Sequence, residues 1–322
     1  MADNEISQHF LSCHFCNMDV QFFCKPCGKR LCRECLLQHM DLSELDHVIV
    51  PYNKRFKTVE KSIHDPEVTK VIPSGLNTMI CVRYSDKQKI YVAENGAPLL
   101  KLFNTEGHLL DVYKPKNIVR FFTPTKDGFL YTASEGIRKV NDVGDTFLLP
   151  LEGSLRGIAF VKPETVFICN ITPPKISKYN MKGEKLLEIE HSDGKHLFQY
   201  PDNIAINGNG DICVTNPEFL LSDKGTSSVV VFNRQGDFRF SYCAHKDELF
   251  HPVDICCNSN SDMIIADDAN SKLHVINEDG RLLRFLTYEG IHRPCSVTKD
   301  NNDRLYVSQL DDKSLRIIHY FY

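Results

Sequence analysis

From about residue 68 onward the hydrophobic positions lose any helical period. Short runs of Val, Ile, Leu, Tyr and Phe alternate with turn clusters, which is the pattern of β-strands. The runs recur as an internal repeat. Each unit has an apolar run ending in a small polar residue, then a loop, another strand, and an Asn-x-x-Gly turn. The turns begin at Asn104, Asn141, Asn180, Asn233 and Asn277 and end at Gly107, Gly144, Gly183, Gly236 and Gly280. Asn can start such a turn through its own side chain, and Gly accepts the positive φ that returns the chain. Six second strands align: Ile90 to Glu94, Leu130 to Ser134, Val166 to Asn170, Ile212 to Asn216, Met263 to Asp267 and Leu305 to Gln309. Six four-stranded units of about 42 residues predict a mainly β chain with a six-bladed β-propeller.

Closure follows from the two ends of the repeat. The last unit stops at Leu315-Arg316-Ile317-Ile318-His319-Tyr320, with no sequence for an outer strand. Val68-Thr69-Lys70-Val71-Ile72 precedes the first unit and has no blade of its own. It is expected to pair as the outer strand of the last blade, which removes the open edge.

The first fifty residues follow another rule. Cys13-x2-Cys16-x7-Cys24-x2-Cys27-x4-Cys32-x2-Cys35-x3-His39-x7-His47 places eight sulfur and imidazole donors in pairs. Four such donors close a tetrahedral zinc site, so eight imply two ions. A segment of about 40 residues buries too little apolar surface to fold unaided, and metal takes the place of a core. Spacing permits two groupings. One is sequential, Cys13/Cys16/Cys24/Cys27 then Cys32/Cys35/His39/His47. The other is cross-braced. His9 and His14 lie off the pattern.

The alternating order resembles the B-box zinc finger of tripartite-motif (TRIM) proteins. That resemblance implies the cross-brace, with Cys13, Cys16, Cys32 and Cys35 on one ion and Cys24, Cys27, His39 and His47 on the other. The downstream units resemble NHL repeats, most clearly from Pro252-Val253-Asp254-Ile255-Cys256 to Gly280 and from Pro201-Asp202-Asn203-Ile204-Ala205 to Gly236. Such repeats commonly end the second strand in Asp; here Asp267 does, and Glu94, Ser134, Asn170, Asn216 and Gln309 stand in the other units. This polar ring is expected to tie down blade loops. The implied organisation is a B-box over 9–51, a connector over 52–67 and a propeller over 68–322. Residues 54–61 have the composition of one or two basic helical turns. No RING finger fits ahead of Cys13, and residues 52–67 hold no heptad repeat, so neither a RING nor a dimerising coiled coil is expected.

Composition narrows the setting. Net charge is −4 and hydrophobic content 42%, ordinary for a globular protein and unlike a strongly basic nucleic-acid binder. The start, Met1-Ala2-Asp3-Asn4-Glu5, is acidic, so no secretory signal is expected. Of thirteen cysteines, six belong to the metal pattern and seven sit mostly in strand-like runs. Buried free thiols fit a reducing, cytoplasmic location.

A zinc module and a propeller offer surfaces rather than chemistry, so the expected function is an adaptor that recognises protein partners, with no catalytic residue and no membrane contact. Phe219, Leu220 and Leu221, in an extra loop of the fourth unit, are the candidate partner contact. The family resemblance leaves a component of ubiquitin ligation as one alternative. RNA binding is another, resting on Lys175, Lys178, Lys182 and Lys185 and on Arg138 and Lys139. A calcium-dependent lactonase is a third, for which Asn203, Asp254 and Asn170 are the nearest oxygen ligands.

Overall fold

The computed structural model describes residues 13, 15, 16, 18, 21–24, 29–41, 49–51, 66–85, 87–161, 164–192, 195–217, 227–244 and 249–320. The chain divides into two compact units, Met1–Ser62 and Ile63–Tyr322. The division falls inside the connector expected over 52–67, and the basic stretch 54–61 lies outside the described residues.

In the first unit, Phe22–Cys24 is the middle strand of a three-stranded antiparallel sheet, flanked by Lys29–Leu31 and Ile49–Pro51. A helix, Arg33–Asp41, follows the second of these, with Glu34 in its first turn and His39 in its last. The Glu34 carboxylate suits the positive end of the helix dipole.

The second unit is the six-bladed propeller that the repeat predicts. Blade 1 runs from the inner strand Met79–Ser85 through Lys89–Glu94 and Leu100–Asn104 to the outer strand Leu109–Tyr113. Blades 2 to 5 begin on inner strands Phe122–Thr125, Leu155–Val161, Ile204–Ile206 and Pro252–Cys257 and follow the same order. Blade 6 begins on Pro294–Lys299 and takes its outer strand from the other end of the repeat: Ser314–His319 pairs antiparallel with Glu67–Pro73, in the register Leu315 to Ile72. The expected closure is therefore present. Adjacent inner strands contact one another all the way round, Pro294–Lys299 against Met79–Ser85 included.

The core is distributed over the blade interfaces. Successive side chains of a strand point to opposite faces. In Met263–Asp267, Met263 and Ile265 pack toward blade 4 with Cys213, Val229 and Val231, while Ile264 and Ala266 pack toward blade 6 with Val297, Leu305 and Val307. A second strand is thus buried on both faces, which is why these strands are continuous apolar runs. The same division produces six clusters, one for each neighbouring pair of blades.

The Asn-x-x-Gly turns join third and fourth strands. In blade 5 the Asn277 Oδ1 accepts the Asp279 and Arg281 backbone N–H groups at 3.1 and 2.8 Å. Gly280 closes the turn at φ +84° and donates to the Asn277 carbonyl at 3.0 Å. The Asn233 and Asn180 turns repeat this arrangement. Similar side-chain-capped turns begin at Asn207, Asn258 and Asp300 between first and second strands.

Candidate functional site

Cys13 and Cys16 precede the small sheet, Cys32 sits between Leu31 and the helix, and Cys35 lies in the helix's first turn. The Sγ atoms of these four lie within 4.8 Å of one another. Cys16 to Cys32 and Cys16 to Cys35 are both 3.6 Å, and the Cys35 N–H donates to the Cys32 sulfur at 3.4 Å. A Zn–S bond of about 2.3 Å in a tetrahedron sets a sulfur–sulfur edge of about 3.8 Å, so the donor set fits that ion. Crowding among the sulfurs, Cys16 first, then burial, Cys32 and Cys13, pushes the Cys35 thiol up to about 12. The four sulfurs could hold a metal ion, whose charge would favour their thiolate forms.

The cluster joins the first and third cysteine pairs, as in the cross-braced grouping and unlike the sequential one. Of the other expected ligands, Cys24 ends the middle strand and is fully buried, and His39 is buried in the helix. Cys27 and His47 lie outside the described residues, as do His9, His14, Phe219, Leu220 and Leu221.

The polar ends of the propeller's second strands act as loop anchors. Glu94 accepts the Asn77 N–H at 2.9 Å, Asn216 the Gln199 and Tyr200 N–H groups, and Gln309 the His292 N–H at 3.0 Å. Asn170 donates to the Glu152 carbonyl at 3.1 Å. Asp267 accepts the His251 N–H at 3.1 Å and His274 Nε2–H at 3.0 Å, and Tyr242 donates its hydroxyl to His274 Nδ1 at 2.8 Å. Burial opposes ionisation of Asp267, but the bonds from His274, Asn270 and His251 hold its carboxyl below the ordinary range. Each of these five groups secures backbone leading into its own blade's inner strand. Ser134 differs: it lies just beyond its strand and bonds its neighbour Glu135.

A cavity of about 240 Å³ opens at the end of the propeller axis where the inner strands begin. Its floor is a buried ion pair. Arg83 leaves the middle of the blade 1 inner strand and meets Asp254 of blade 5 at 2.7 and 3.1 Å, with further bonds to Ser296 at 3.0 Å and Asn203 at 3.2 Å. Burial works against the guanidinium charge, and Asp254 more than restores it, so Arg83 stays above its ordinary value. Asn203 and Asp254, named from the sequence as oxygen ligands for a cation, are therefore committed to Arg83. Asn170, the third, is a loop anchor and does not converge with them.

Arg156, Asp202, His251 and Arg120 stand around the same axis. Gly157 lets two inner strands meet here: its N–H donates to the Asp202 carbonyl at 2.7 Å, and a Cβ at this position would stand 2.6 Å from that oxygen. Burial pushes the Asp202 carboxyl up to about 6, against the pull of Arg156 and Arg120. His251 bonds Asp268, which holds the imidazole above its ordinary value despite burial. Sequence reasoning passed over these residues. The available signal was a single arginine inside an otherwise apolar inner strand at Arg83, and Pro-led acidic segments at Asp202 and Asp254.

The basic clusters proposed for RNA are mostly engaged. Lys175 and Lys185 pair with Glu188 at 2.9 and 3.0 Å, Lys178 lies 5.0 Å from the Phe167 ring centre, Arg138 pairs with Asp145 and Glu135, and Lys139 with Asp127. Among the described residues no helix is long and apolar enough to cross a membrane.

No protein-family model matches the chain. A curated relative, Protein brain tumor of Drosophila melanogaster, is 26% identical over 38% of this chain, and the match spans 11% of that protein's length. Among solved structures, virginiamycin B lyase from Staphylococcus aureus superposes with a TM-score of 0.55 at 16% identity, covering 74% of this chain and 82% of that one. A streptogramin B lyase does so with a TM-score of 0.54 at 13% identity, covering 80% and 97%. The WD40 propeller domain of Doa1 gives 0.54 at 12% identity, covering 75% and 78%. At these identities the likeness concerns the propeller fold alone.

Proposed function

We propose that the chain is a zinc-dependent interaction scaffold with two docking platforms, a B-box-like module and an NHL-like propeller, which recognises protein partners in the cytoplasm. Cys13, Cys16, Cys32 and Cys35 would hold one zinc ion, and Cys24, Cys27, His39 and His47 a second. The ions would supply structure: they fix the helix and the small sheet so that one face is presented rigidly. The observation that carries this reading is the convergence of two distant cysteine pairs at tetrahedral-edge spacing. The propeller's polar strand ends support a binding rather than a catalytic role, because five of the six hold loops in place. The engaged state of most of the basic clusters favours proteins over RNA as partners.

The test pairs metal content with partner capture. The intact chain should carry two zinc ions and retain a protein partner in affinity capture. The propeller alone, residues 63–322, should retain the partners that dock on its loops and lose those that dock on the zinc module. Zinc-free protein with an unchanged N-terminal unit would refute the scaffold's metal dependence. Identical partner sets for the intact chain and the isolated propeller would remove the first platform.

A further inference from the structure

At the floor of the axial cavity the Arg83 guanidinium ties blade 1 to blades 4, 5 and 6 through Asn203, Asp254 and Ser296. The floor's polar atoms are engaged with one another. Asp254 also accepts the Ile255 and Val297 N–H groups at 2.9 and 3.0 Å, and the Asn203 amide donates to the Val253 carbonyl at 2.7 Å. Charges around the cavity are matched as well. Arg83 stands on Asp254 at 2.7 Å, Arg156 on Asp202 at 3.7 Å, and Arg293 between Asp268 at 3.6 Å and Asp311 at 3.7 Å. With Arg120, whose charge also acts on Asp202, four guanidinium groups face four carboxylates. His251 bonds Asp268. An entering ion therefore meets no surplus of opposite charge.

Two lining side chains keep hydrogen-bonding atoms unused. The Asp202 carboxylate accepts no hydrogen bond among the described residues, because 3.7 Å to Arg156 is a contact of charge alone. Arg120 is exposed, lies 5.7 Å from the Phe121 ring centre and donates to no described residue. Both border one cavity of about 240 Å³, about 8 Å across if round, so one residue-sized ligand reaches both. Ile80, Phe121, Val253 and Leu310 supply apolar wall. Ile118 and Leu249, 51% and 81% exposed, add apolar surface on the loops that carry Arg120 and His251.

We infer that this cavity receives one uncharged aliphatic residue of a docked protein segment, with a peptide carbonyl accepting from Arg120 and a peptide N–H donating to Asp202. A peptide group is neutral and offers one donor and one acceptor, which are the two partners the lining lacks. The aliphatic side chain covers the apolar wall, and an apolar pocket with few placed polar groups is the usual form of such a site. The inference rests on the adaptor reading and gives it a location and a ligand chemistry.

The probe is N-acetyl-leucine methylamide, titrated into the full chain and followed by protein NMR. Two charged analogues accompany it: N-acetyl-leucine, an anion, and leucine methylamide, a cation. The neutral probe should bind tightest, and each charged analogue about fivefold or more weaker, because its charge would be buried without a partner. Arg120→Met should weaken the neutral probe about fivefold, the loss of one hydrogen bond. Asp202→Ala should do the same, and Asp202→Asn, which keeps an acceptor, should restore most of the affinity. Leu310→Trp, at a half-buried loop position, should block the probe and reduce affinity capture of protein partners by the intact chain. If Leu310→Trp unfolds, Arg120→Met decides both readouts. Wild-type chain that binds the probe but captures no partner would remove the adaptor reading and the docked segment with it. Tighter binding of either charged analogue, unchanged probe affinity in Arg120→Met, or partner capture untouched by a folded Leu310→Trp would overturn the inference while leaving the adaptor reading in place.

Discussion

Among the described residues of the N-terminal unit, the buried side chains are three cysteines, Leu31 and His39. In the propeller every second strand is buried along most of its length, and Phe129, Tyr131, Phe232 and Tyr306 are fully enclosed. Among its described residues, the first region brings sulfurs together where little else is buried. The second repeats one apolar interface six times round a ring. The contrast shows why their polar residues behave differently. In the small unit, four sulfur donors crowd one point and could hold a metal ion. In the propeller, the polar strand ends are spaced one per blade, and five of the six hold backbone leading into their own blade's inner strand.

The sharpest break in that comparison is Cys32→Ser. Structural zinc contributes about 10–16 kcal/mol to modules of this size, so the N-terminal unit should lose its fold while the propeller's melting temperature stays put. Limited proteolysis with peptide mapping reads both units at once. A smaller effect within the propeller should follow Arg83→Met. It leaves Asp254, 1% exposed, charged and unpaired, a loss of about 3–5 kcal/mol. Replacing both, Arg83→Met with Asp254→Leu, should recover most of it in urea unfolding. Recovery would confirm that the pair, not the arginine's packing, is at stake.

Asp202→Asn should act in the opposite direction. The Asp202 carboxyl rises from its ordinary 3.8 to about 6 in the fold, so the native state binds more protons than the unfolded one between those values. Stability contributed here is present below pH 4 and is lost as pH rises through 6. The Asn variant should therefore be more stable by about 3 kcal/mol at pH 7 and no more stable at pH 4, as followed by thermal unfolding across pH. The smallest expected change in stability belongs to the loop. Replacing Phe219, Leu220 and Leu221 with Ser should alter unfolding by about 0.5 kcal/mol or less while weakening partner capture.

Much of the ring was legible because its signals are local. A strand buried on both faces must be apolar at consecutive positions, so Met263 to Asp267 stands out without any partner in view. The same holds for Asn277 to Gly280, where the turn is made by its own residues. The closing strand could be inferred from Val68 to Ile72 because a closed sheet leaves no edge. What stayed hidden depends on register between blades. Arg83 and Asp254 are 171 positions apart, and nothing near either one announces the other. The outer strand Leu109–Tyr113, mostly exposed, carries no burial pattern from which to read its place. In the small unit the donors were legible from spacing, but their grouping was not: pairs one and three converge because the chain folds back between them.

Residue-resolved hydrogen exchange before and after treatment with a zinc chelator tests the divided organisation most directly. Exchange should rise to unfolded rates across the strands Phe22–Cys24 and Lys29–Leu31 and the helix Arg33–Asp41, with no change in the six second strands of the propeller. Protection that survives chelation in that helix and sheet, or that falls in both units together, would contradict it.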